Sequence, residues 1–244
     1  MKRAACLAFL LFLAAPAHAV TCKTAEFEER SFSLCEVMAD EDLRLFLRDA
    51  DGEILGTFSE VEETLGEGKL SFAMNAGMFH PDRRPVGLYI EDGKQEATLS
   101  DGGGYGNFGL LPNGVFCIGE GLRVWESDAF AAAHPTCRYA SQSGPMLVIN
   151  GALHPRFMAD STPRYYRNGV GTSADGSRAV FVISDARVTF HQFARFFRDY
   201  LSLPDALFFD GNVSRLYAPQ IGRNDLGAPL GPIVGVVDPD DEGR

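Results

Sequence analysis

Apolar and polar residues alternate in the first part of the chain, a pattern typical of half-buried β-strands. The alternation predicts strands at residues 32–39 and 42–48. Asp51-Gly52 predicts a turn into a third strand at residues 53–58, so we expect the fold to begin with a β-meander. Short apolar runs between glycines and asparagines predict further strands at residues 70–74, 87–91, 108–111, 114–118, 146–149, 179–183 and 233–237.

One segment, residues 189–201, has the period of a helix instead. Pro204 prevents its continuation, and residues 206–209 follow as an apolar run without alternation, as in a strand covered on both faces. Strand, helix and strand in this order predict a crossover. The predicted fold is α+β, a single domain with a mixed, largely antiparallel β-sheet core and a few helices. The aromatic residues of the helix share one face, which indicates core packing: Phe190, Phe193, Phe197 and Tyr200.

The chain begins like a secretory signal peptide. Lys2-Arg3 precede an apolar run, and Ala17-His18-Ala19 offers small residues at the two positions that a signal peptidase reads. We expect cleavage of residues 1–19, leaving residues 20–244 as one domain exported to the periplasm or the extracellular space. No later run has eighteen uninterrupted apolar residues, so we expect no membrane anchor.

Cleavage would leave four cysteines in a compartment where disulfides persist. Three pairings are open. The prediction pairs sequence neighbours, Cys22 with Cys35 and Cys117 with Cys137, and each such loop is worth about 3 kcal/mol in the chain-entropy model. A thiolate nucleophile or a zinc site is disfavoured, because no two cysteines have CxxC spacing and none neighbours a histidine.

The formal charge of the chain is -11, and loss of Lys2 and Arg3 makes the mature chain still more acidic. A nucleic-acid partner is therefore not expected. An anionic substrate would need a local arginine to bind, which makes the positions of the arginines informative.

Four glycine- and asparagine-rich segments carry polar side chains that a plain turn does not need. The first, residues 72–82, contains Asn75 and Gly77, whose lack of a side chain permits close approach of a ligand or another strand. The second, residues 100–116, contains Asn107 in a glycine run that could expose N–H groups to an anion. A flexible loop with a hairpin at residues 113–114 is an equally good interpretation of the second segment.

The third segment, residues 140–157, enters a strand through Gln142-Ser143-Gly144, and Asn150-Gly151 predicts a hairpin. The fourth, residues 165–176, holds an arginine flanked by two tyrosines and glycines, a setting that favours oxyanion recognition. Asp175-Gly176 is predicted to close its hairpin. The candidate polar residues of the fourth segment are Arg167, Asn168 and Thr172.

The sequence FFDGNVSRLY, residues 208–217, ends a hydrophobic strand in Asp210-Gly211 and continues to Ser214. An Asp-Gly pair usually marks a hairpin. The alternative is a reactive carboxylate on a rigid strand beside a loop.

Several familiar sites are not found in the sequence. It has no GxGxxG or GxxxxGK[ST] loop in the required context, no GxSxG elbow, and no HxH or HExxH spacing among its scattered histidines. No cofactor or metal is therefore predicted, although the oxygen-rich turn at Asp210 leaves a divalent cation open.

Taken in order, these motifs resemble the phosphodiester glycosidase family, and the resemblance extends over about residues 32–217. The motifs are closest to the bacterial exported branch of the family. The branch that includes the lysosomal uncovering enzyme has DGGGS and NGGFF where this chain has DGNVS and NAGMF. The motifs that carry the resemblance are NAGMF with PVGLYIEDGK, GNFGLLPNGVF, SQSGPMLVINGALHPRF, RNGVGTSADG and ALFFDGNVSRLY.

The resemblance implies hydrolysis of a sugar-1-phosphodiester between the anomeric carbon and the phosphate oxygen, with a sugar phosphate or glycan as substrate. A phosphate leaving group is a weak base, so this chemistry needs a carboxylate near the anomeric carbon and a cation for the phosphate. Asp210 can be that carboxylate and Arg167 that cation, with Asn75 as a third catalytic residue. The expected substrate-binding residues are Gly77, Asn107, Gln142, Ser143, Gly144, Asn168, Thr172, Gly211 and Ser214.

Two other interpretations stay open. A catalytically silent envelope protein could bind a glycan or phosphorylated polymer through the same cleft. A structural exported domain would have no pocket joining Asn75, Arg167 and Asp210. The alternative carboxylates are Glu91, Asp101 and Asp175.

Overall fold

The computed structural model describes residues 20–103 and 106–239, and the predicted signal peptide lies outside them. The described strands are β1 (Thr21–Phe27), β2 (Arg30–Met38), β3 (Leu43–Phe46), β4 (Gly68–Asn75), β5 (Tyr89–Glu91), β6 (Lys94–Ala97), β7 (Gly114–Ile118), β8 (Leu122–Glu126), β9 (Tyr139–Ser143), β10 (Met146–Ile149), β11 (Ala152–Leu153), β12 (Asn168–Thr172), β13 (Arg178–Ser184), β14 (Asp205–Asp210), β15 (Leu216–Ala218), β16 (Arg223–Asn224) and β17 (Ile233–Pro239). The α-helices in the same residues are α1 (Phe58–Thr64), α2 (Ser127–Ala133) and α3 (Phe190–Arg195).

These strands form three sheets. The first has the order β1-β2-β13-β12-β14-β10-β11, the second β16-β15-β4-β17-β3, and the third β6-β5-β9-β7-β8. Every strand pair within the described residues is antiparallel. The predicted α+β fold with a largely antiparallel core is confirmed.

The three sheets share one core. Phe181 of the first sheet packs against Phe72 of the second at a ring-centroid distance of 4.8 Å and against Phe116 of the third at 5.6 Å. All three rings are fully buried, and burial of such a side chain stabilises the fold by about 1.5–3 kcal/mol. The strands that end near this core therefore hold their terminal residues in fixed relative positions.

Strand β14 is covered on both faces, as its unbroken apolar run predicts. Leu207 and Phe209 belong to the core shared by the sheets, while Ala206 and Phe208 face a second core under α3. Because both faces are packed, Asp210 at the end of β14 is attached to a rigid element.

The predicted crossover is also present. Strands β13 and β14 both pair antiparallel with β12, which lies between them, and α3 connects β13 to β14. Thr189 caps α3 through a reciprocal pair of hydrogen bonds with Gln192. The helix continues as a wider π-helical turn over Phe196–Tyr200.

This wider turn alters the predicted aromatic face. Phe193 and Phe197 are buried as expected, but Phe196 is also buried, whereas Tyr200 is 44% exposed. Phe193, Phe196 and Phe197 have the i, i+3, i+4 spacing of one α-helical face, so the departure from the prediction is the exposure of Tyr200, at the end of the π-helical turn.

The predicted third strand at residues 53–58 is wrong, although the turn at Gly52 is present. Helix α1 begins at Phe58, because the Thr57 side chain accepts a hydrogen bond from the Glu60 N–H. The β-meander is wrong as well, because β2 and β3 belong to different sheets. Alternation identifies a strand but does not identify its partner.

The predicted strand at residues 108–111 is wrong too. A 3-10 turn occupies Asn107–Gly109, and the Asn113 side chain donates to the Phe108 carbonyl over 2.8 Å. This hydrogen bond from a side chain takes the place of the backbone hydrogen bonds that a β-strand would form here. Asn113-Gly114 does not form a hairpin either, because Gly114 begins β7 directly.

Both predicted disulfides are present. Cys22 is bonded to Cys35 across the β1–β2 pair, and Cys117 of β7 is bonded to Cys137. The hairpins at Asn150-Gly151 and at residues 173–178 are also confirmed. Within the described residues, no helix is long and apolar enough to cross a membrane.

Candidate active site

A cavity of about 500 Å³ lies where β14 ends. Two charged side chains of opposite sign, Arg167 and Asp210, line it. Asp210 is the one carboxylate among the described lining residues, which are Met78, Phe79, His80, Val86, Gly106, Asn107, Phe108, Tyr165, Arg167, Asp210, Gly211 and Asn212.

The Asp210 turn joins two sheets and is not a hairpin. Strand β14 belongs to the first sheet, and β15, which follows the turn, pairs with β4 in the second. The Ser214 hydroxyl donates to the Asp210 carbonyl over 3.1 Å and holds the turn closed. The hairpin interpretation of Asp210-Gly211 is therefore wrong.

The Asp210 carboxylate is nearly buried, with 9% of the residue exposed. Its Oδ1 accepts the backbone N–H of Asn212 over 2.7 Å and that of Val213 over 3.4 Å. Both of these bonds are to Oδ1, and the backbone N–H of Gly211 also stabilises the charge of the carboxylate. Burial raises the pKa of Asp210, and the backbone N–H groups oppose this rise without cancelling it. The turn thus holds the Asp210 carboxylate through Oδ1.

A pair of buried asparagines holds the turn from behind. Asn168 donates through Nδ2 to Asn75 Oδ1 over 2.7 Å, and its Oδ1 accepts the Asp210 N–H over 3.0 Å. Asn75 Oδ1 also accepts the N–H of Arg215 over 3.0 Å. Both ends of the Asp210 turn are therefore bonded to one asparagine pair that bridges β4 and β12.

Arg167 lies directly before β12 and is only 2% exposed. Its N–H donates to the Ser184 hydroxyl over 2.9 Å, and its side-chain Nε donates to the Val188 carbonyl over 3.1 Å. Across residues 20–103 and 106–239, no carboxylate pairs with this guanidinium and no acceptor is hydrogen-bonded to its Nη atoms.

Aromatic rings surround the Arg167 guanidinium instead. Its carbon lies 3.5 Å from the ring centroid of Phe190, and 5.5 Å from those of both Tyr165 and Phe208. Burial lowers the pKa of Arg167 to about 10, and attraction to Tyr165 opposes the shift. The side chain is still a cation at neutral pH, and it has no counterion among the described residues.

The remaining predicted site residues fall into two groups. Asn107 and Gly211 line the cavity with Asp210 and Arg167. The others have structural contacts: Ser214 holds the turn, Asn75 and Asn168 support it, and Ser143 donates to the Phe209 carbonyl over 2.9 Å.

Gln142 is fully engaged within the protein. Its Oε1 accepts the N–H groups of Leu88 and Ser100, and its Nε2 donates to the Ser100 carbonyl and the Ser127 hydroxyl. Gly144 and Gly77 allow close packing of neighbouring chain, since a Cβ would lie 2.0 Å from Asn113 Oδ1 and 2.8 Å from Ser141 Oγ respectively.

Thr172 lies at the other end of β12 and lines a different cavity. Its hydroxyl accepts the Val124 N–H over 3.1 Å.

The alternative carboxylates also lie away from the described lining of the Arg167 cavity. Asp175 is in the β12–β13 turn, where hydrogen bonds from Ser173 and Ser177 lower its pKa to about 2. Glu91 accepts a hydrogen bond from the Tyr89 hydroxyl over 2.7 Å, and Asp101 accepts one from the Gly103 N–H over 3.1 Å. Asp210 is thus the carboxylate that shares a cavity with Arg167.

The sequence had not indicated several of the lining residues. Met78, Phe79 and His80 lie in the same segment as Asn75 and Gly77, residues 72–82, so their membership of that segment was an available signal. Tyr165 was noted only as a neighbour of Arg167. Within the described residues, no group of three or more His, Cys, Asp or Glu could hold a metal ion.

Comparison with known proteins identifies the family to which this chain belongs. A family model described as phosphodiester glycosidase matches residues 68–236, which include Asn75, Arg167 and Asp210. The chain belongs to the phosphodiester glycosidase family.

The chain is also similar to two individual proteins. It is 35% identical over 179 residues to the uncharacterized protein YigE of Escherichia coli K12, a match that covers 72% of this chain and 70% of that protein. The catalytic domain of zebrafish N-acetylglucosamine-1-phosphodiester alpha-N-acetylglucosaminidase, auto-inhibited by its pro-peptide, has the same fold at a TM-score of 0.61. That match has 15% sequence identity and covers 89% of this chain and 81% of the zebrafish chain.

Proposed function

We propose that this protein is an exported hydrolase that cleaves sugar-1-phosphodiesters between the anomeric carbon and the phosphate oxygen. One observation carries the proposal: the described lining of the cavity contains one carboxylate, Asp210, and one buried guanidinium without a counterion, Arg167. Ordinary glycosidases use two carboxylates, one of which protonates the leaving group. A phosphate leaving group does not need that proton, so a single carboxylate is sufficient.

Arg167 binds the phosphate in this proposal. A guanidinium that is 2% exposed and lacks a carboxylate partner is stabilised by an anionic ligand. Its positive charge also stabilises the phosphate as the bond to the sugar breaks and negative charge develops on the leaving oxygen. The low-dielectric, aromatic surroundings strengthen this interaction.

Asp210 acts at the anomeric carbon. Asp210 lines the cavity in which Arg167 would bind the phosphate, so its negative charge can stabilise the oxocarbenium-like centre. The carboxylate either activates a water or attacks the carbon directly, and the anomeric configuration of the released sugar distinguishes these routes. Its raised pKa makes it more basic than an ordinary aspartate.

The test uses p-nitrophenyl diesters of α- and β-linked sugar 1-phosphates. Cleavage at the anomeric carbon releases sugar and p-nitrophenyl phosphate, so colour develops only after a phosphatase is added. Cleavage at phosphorus releases p-nitrophenol directly. With H₂¹⁸O as solvent, the label enters the sugar in the first case and the phosphate in the second.

We expect Asp210→Asn and Arg167→Ala to reduce kcat/KM by at least about 100-fold. Asp205→Asn is the matched control, because Asp205 is a half-buried carboxylate at the other end of β14 whose pKa burial also raises. Its activity should stay within about twofold of wild type. A folded Asp210→Asn variant as active as wild type would overturn the assignment. Binding of the diesters without turnover by wild type would favour a glycan-binding protein.

A further inference from the structure

Arg167 is the end member of a column of stacked planar groups. The guanidinium carbon lies 3.5 Å from the ring centroid of Phe190. Phe190 stacks on Phe157 at 5.0 Å with 8° between the ring planes, and Phe157 stacks on His154 at 4.6 Å and 25°. The column thus runs from the cavity past two half-buried rings to His154.

The inner end of the column is fixed by hydrogen bonds. His154 is 1% exposed, its Nδ1 accepts the Arg156 N–H over 3.2 Å, and its Nε2 lies 3.0 Å from the Leu111 carbonyl. The Nδ1 acceptor requires the tautomer in which Nε2 carries the proton and donates it. Burial also lowers the pKa of His154, so the ring is neutral and adds no charge to the column.

The middle of the column is fixed by α3. Phe190 is the first residue of that helix, immediately after the capping residue Thr189. Its ring also makes a T-shaped contact with Phe208, a buried residue of β14, at a centroid distance of 4.8 Å. The position of the Phe190 ring is therefore set by a capped helix and by the strand that carries Asp210.

The contact with the Phe190 ring explains how the buried Arg167 guanidinium is oriented without a carboxylate partner. A buried guanidinium is usually oriented by a carboxylate, which also neutralises its charge. A ring face attracts the cation and sets the plane of the guanidinium while it leaves the charge and the N–H groups unpaired. Arg167 has the ring contact and, among the described residues, lacks the carboxylate.

We propose that Phe190 is a positioning residue for Arg167. Together with Phe157 and His154 in the column, Phe190 holds the guanidinium in the plane that receives the phosphate. This inference rests on the proposed role of Arg167. Phe190 acts through Arg167 and does not touch the substrate.

A double-mutant cycle tests the inference, with kcat and KM for the cleaved diester and calorimetric binding of p-nitrophenyl phosphate as readouts. We expect Phe190→Leu to weaken p-nitrophenyl phosphate binding and to raise KM, each by roughly tenfold, with kcat changed much less. In the Arg167→Lys background, Phe190→Leu should have less than about a twofold further effect, because an ammonium has no plane to orient.

The matched control is Phe193→Leu, one turn further along the same helix. Phe193 is fully buried and packs on Phe32 and Phe197, so the substitution tests loss of helix packing alone. Its phosphate affinity should equal that of wild type, and Phe190→Tyr should retain most of the affinity that Phe190→Leu loses. If Phe190→Leu does not fold, Phe157→Leu tests the same column one ring further from the cavity.

The inference is overturned if Phe190→Leu binds p-nitrophenyl phosphate as tightly as wild type, if its effect adds fully to that of Arg167→Lys, or if Phe193→Leu weakens binding equally. The proposed function fails separately, when Arg167→Ala retains full activity on the diesters or when Asp210→Asn does. Because binding is measured without turnover, each result identifies which of the two proposals is wrong.

Discussion

Asn75 and Asn168, which are 93 positions apart in the chain, bind each other at the junction of two sheets, with Asn168 Nδ2 donating to Asn75 Oδ1 over 2.7 Å. The same two side chains accept the backbone N–H groups of Asp210 and Arg215. The Asp210 turn is thus held by amide groups that are themselves fully buried. The position of Asp210 depends on this pair as much as on its own strand.

Replacement of Asn168 by Asp should therefore destabilise the protein. The substitution keeps the shape but places a carboxylate oxygen against Asn75 Oδ1, so two acceptors meet in a buried site. We expect the free energy of unfolding to fall by about 2–4 kcal/mol, as measured by urea denaturation. Asn224→Asp, at an exposed position in β16, is the control and should change it by less than about 0.5 kcal/mol. Equal stability of the two variants would contradict this account.

The stability gained on removal of the Asp210 charge should depend on pH. Burial raises the pKa of Asp210 in the folded protein, so its ionisation destabilises the folded state above that pKa and has no such effect below the unfolded value. Asp210→Asn should therefore have a higher Tm than wild type near pH 7.5, and the difference should shrink towards pH 4. Calorimetry at both pH values measures it.

For Asp175→Asn we expect a change in Tm of the opposite sign. Hydrogen bonds from Ser173 and Ser177 lower the pKa of Asp175 to about 2, so its charge stabilises the folded state above the unfolded pKa, and this contribution is lost as pH falls towards 2. The Asp175→Asn variant should have a lower Tm than wild type at neutral pH.

For Asp210→Asn, a change in Tm that does not depend on pH would be inconsistent with a desolvated carboxylate.

The backbone N–H of Asn212 should tune the acidity of Asp210. Asn212→Pro removes the donor that lies 2.7 Å from Oδ1, whereas Asn212→Ala keeps it. Loss of this bond destabilises the ionised carboxylate, so the acidic limb of the kcat/KM profile should move to higher pH in the proline variant, with activity at neutral pH reduced by roughly tenfold. The alanine variant should resemble wild type in the position of that limb. Identical profiles for both variants would exclude this role.

The disulfide between Cys117 and Cys137 should contribute stability without affecting the site. It closes a loop with a sequence separation of 20, and neither cysteine is among the described residues that line the Arg167 cavity. Replacement of both cysteines by alanine should reduce the free energy of unfolding by about 3 kcal/mol, as measured by denaturant titration without reductant. KM should be unchanged, and an altered KM would indicate an unexpected link to the cavity.

Local patterns predicted much of the fold. The unbroken apolar run of β14 was interpreted correctly, and so was the burial of Phe193 and Phe197, because a strand covered on both faces and a packed helix face each impose a recognisable order of residues. Tyr200 was predicted to share the helix face but is exposed. The strand predicted at residues 53–58 was wrong although a signal was present. Thr57 followed by Glu60 is a helix-start pattern that competes with the alternation.

The site was only partly predictable. Asp210 and Arg167 stand out in their own segments, and the structure places both in one cavity. The pairing of Asn75 with Asn168 and the internal bonds of Gln142 depend on contacts between distant segments, which no local pattern contains. The stack of Phe190 on Arg167 was likewise hidden, because an aromatic stripe predicts packing and does not identify what a ring touches.

The crossing of the Asp210 turn from one sheet to the other has a consequence for divergence within the family. Asn212 and Val213 contribute N–H groups to the carboxylate, and neither has a positive φ, so this backbone shape does not require glycine at either position. The side chains that replace two glycines of DGGGS can therefore vary while the carboxylate stays in place. Asn212 lines the cavity, so variation at this position can change the shape of the cavity while Asp210 keeps its backbone hydrogen bonds.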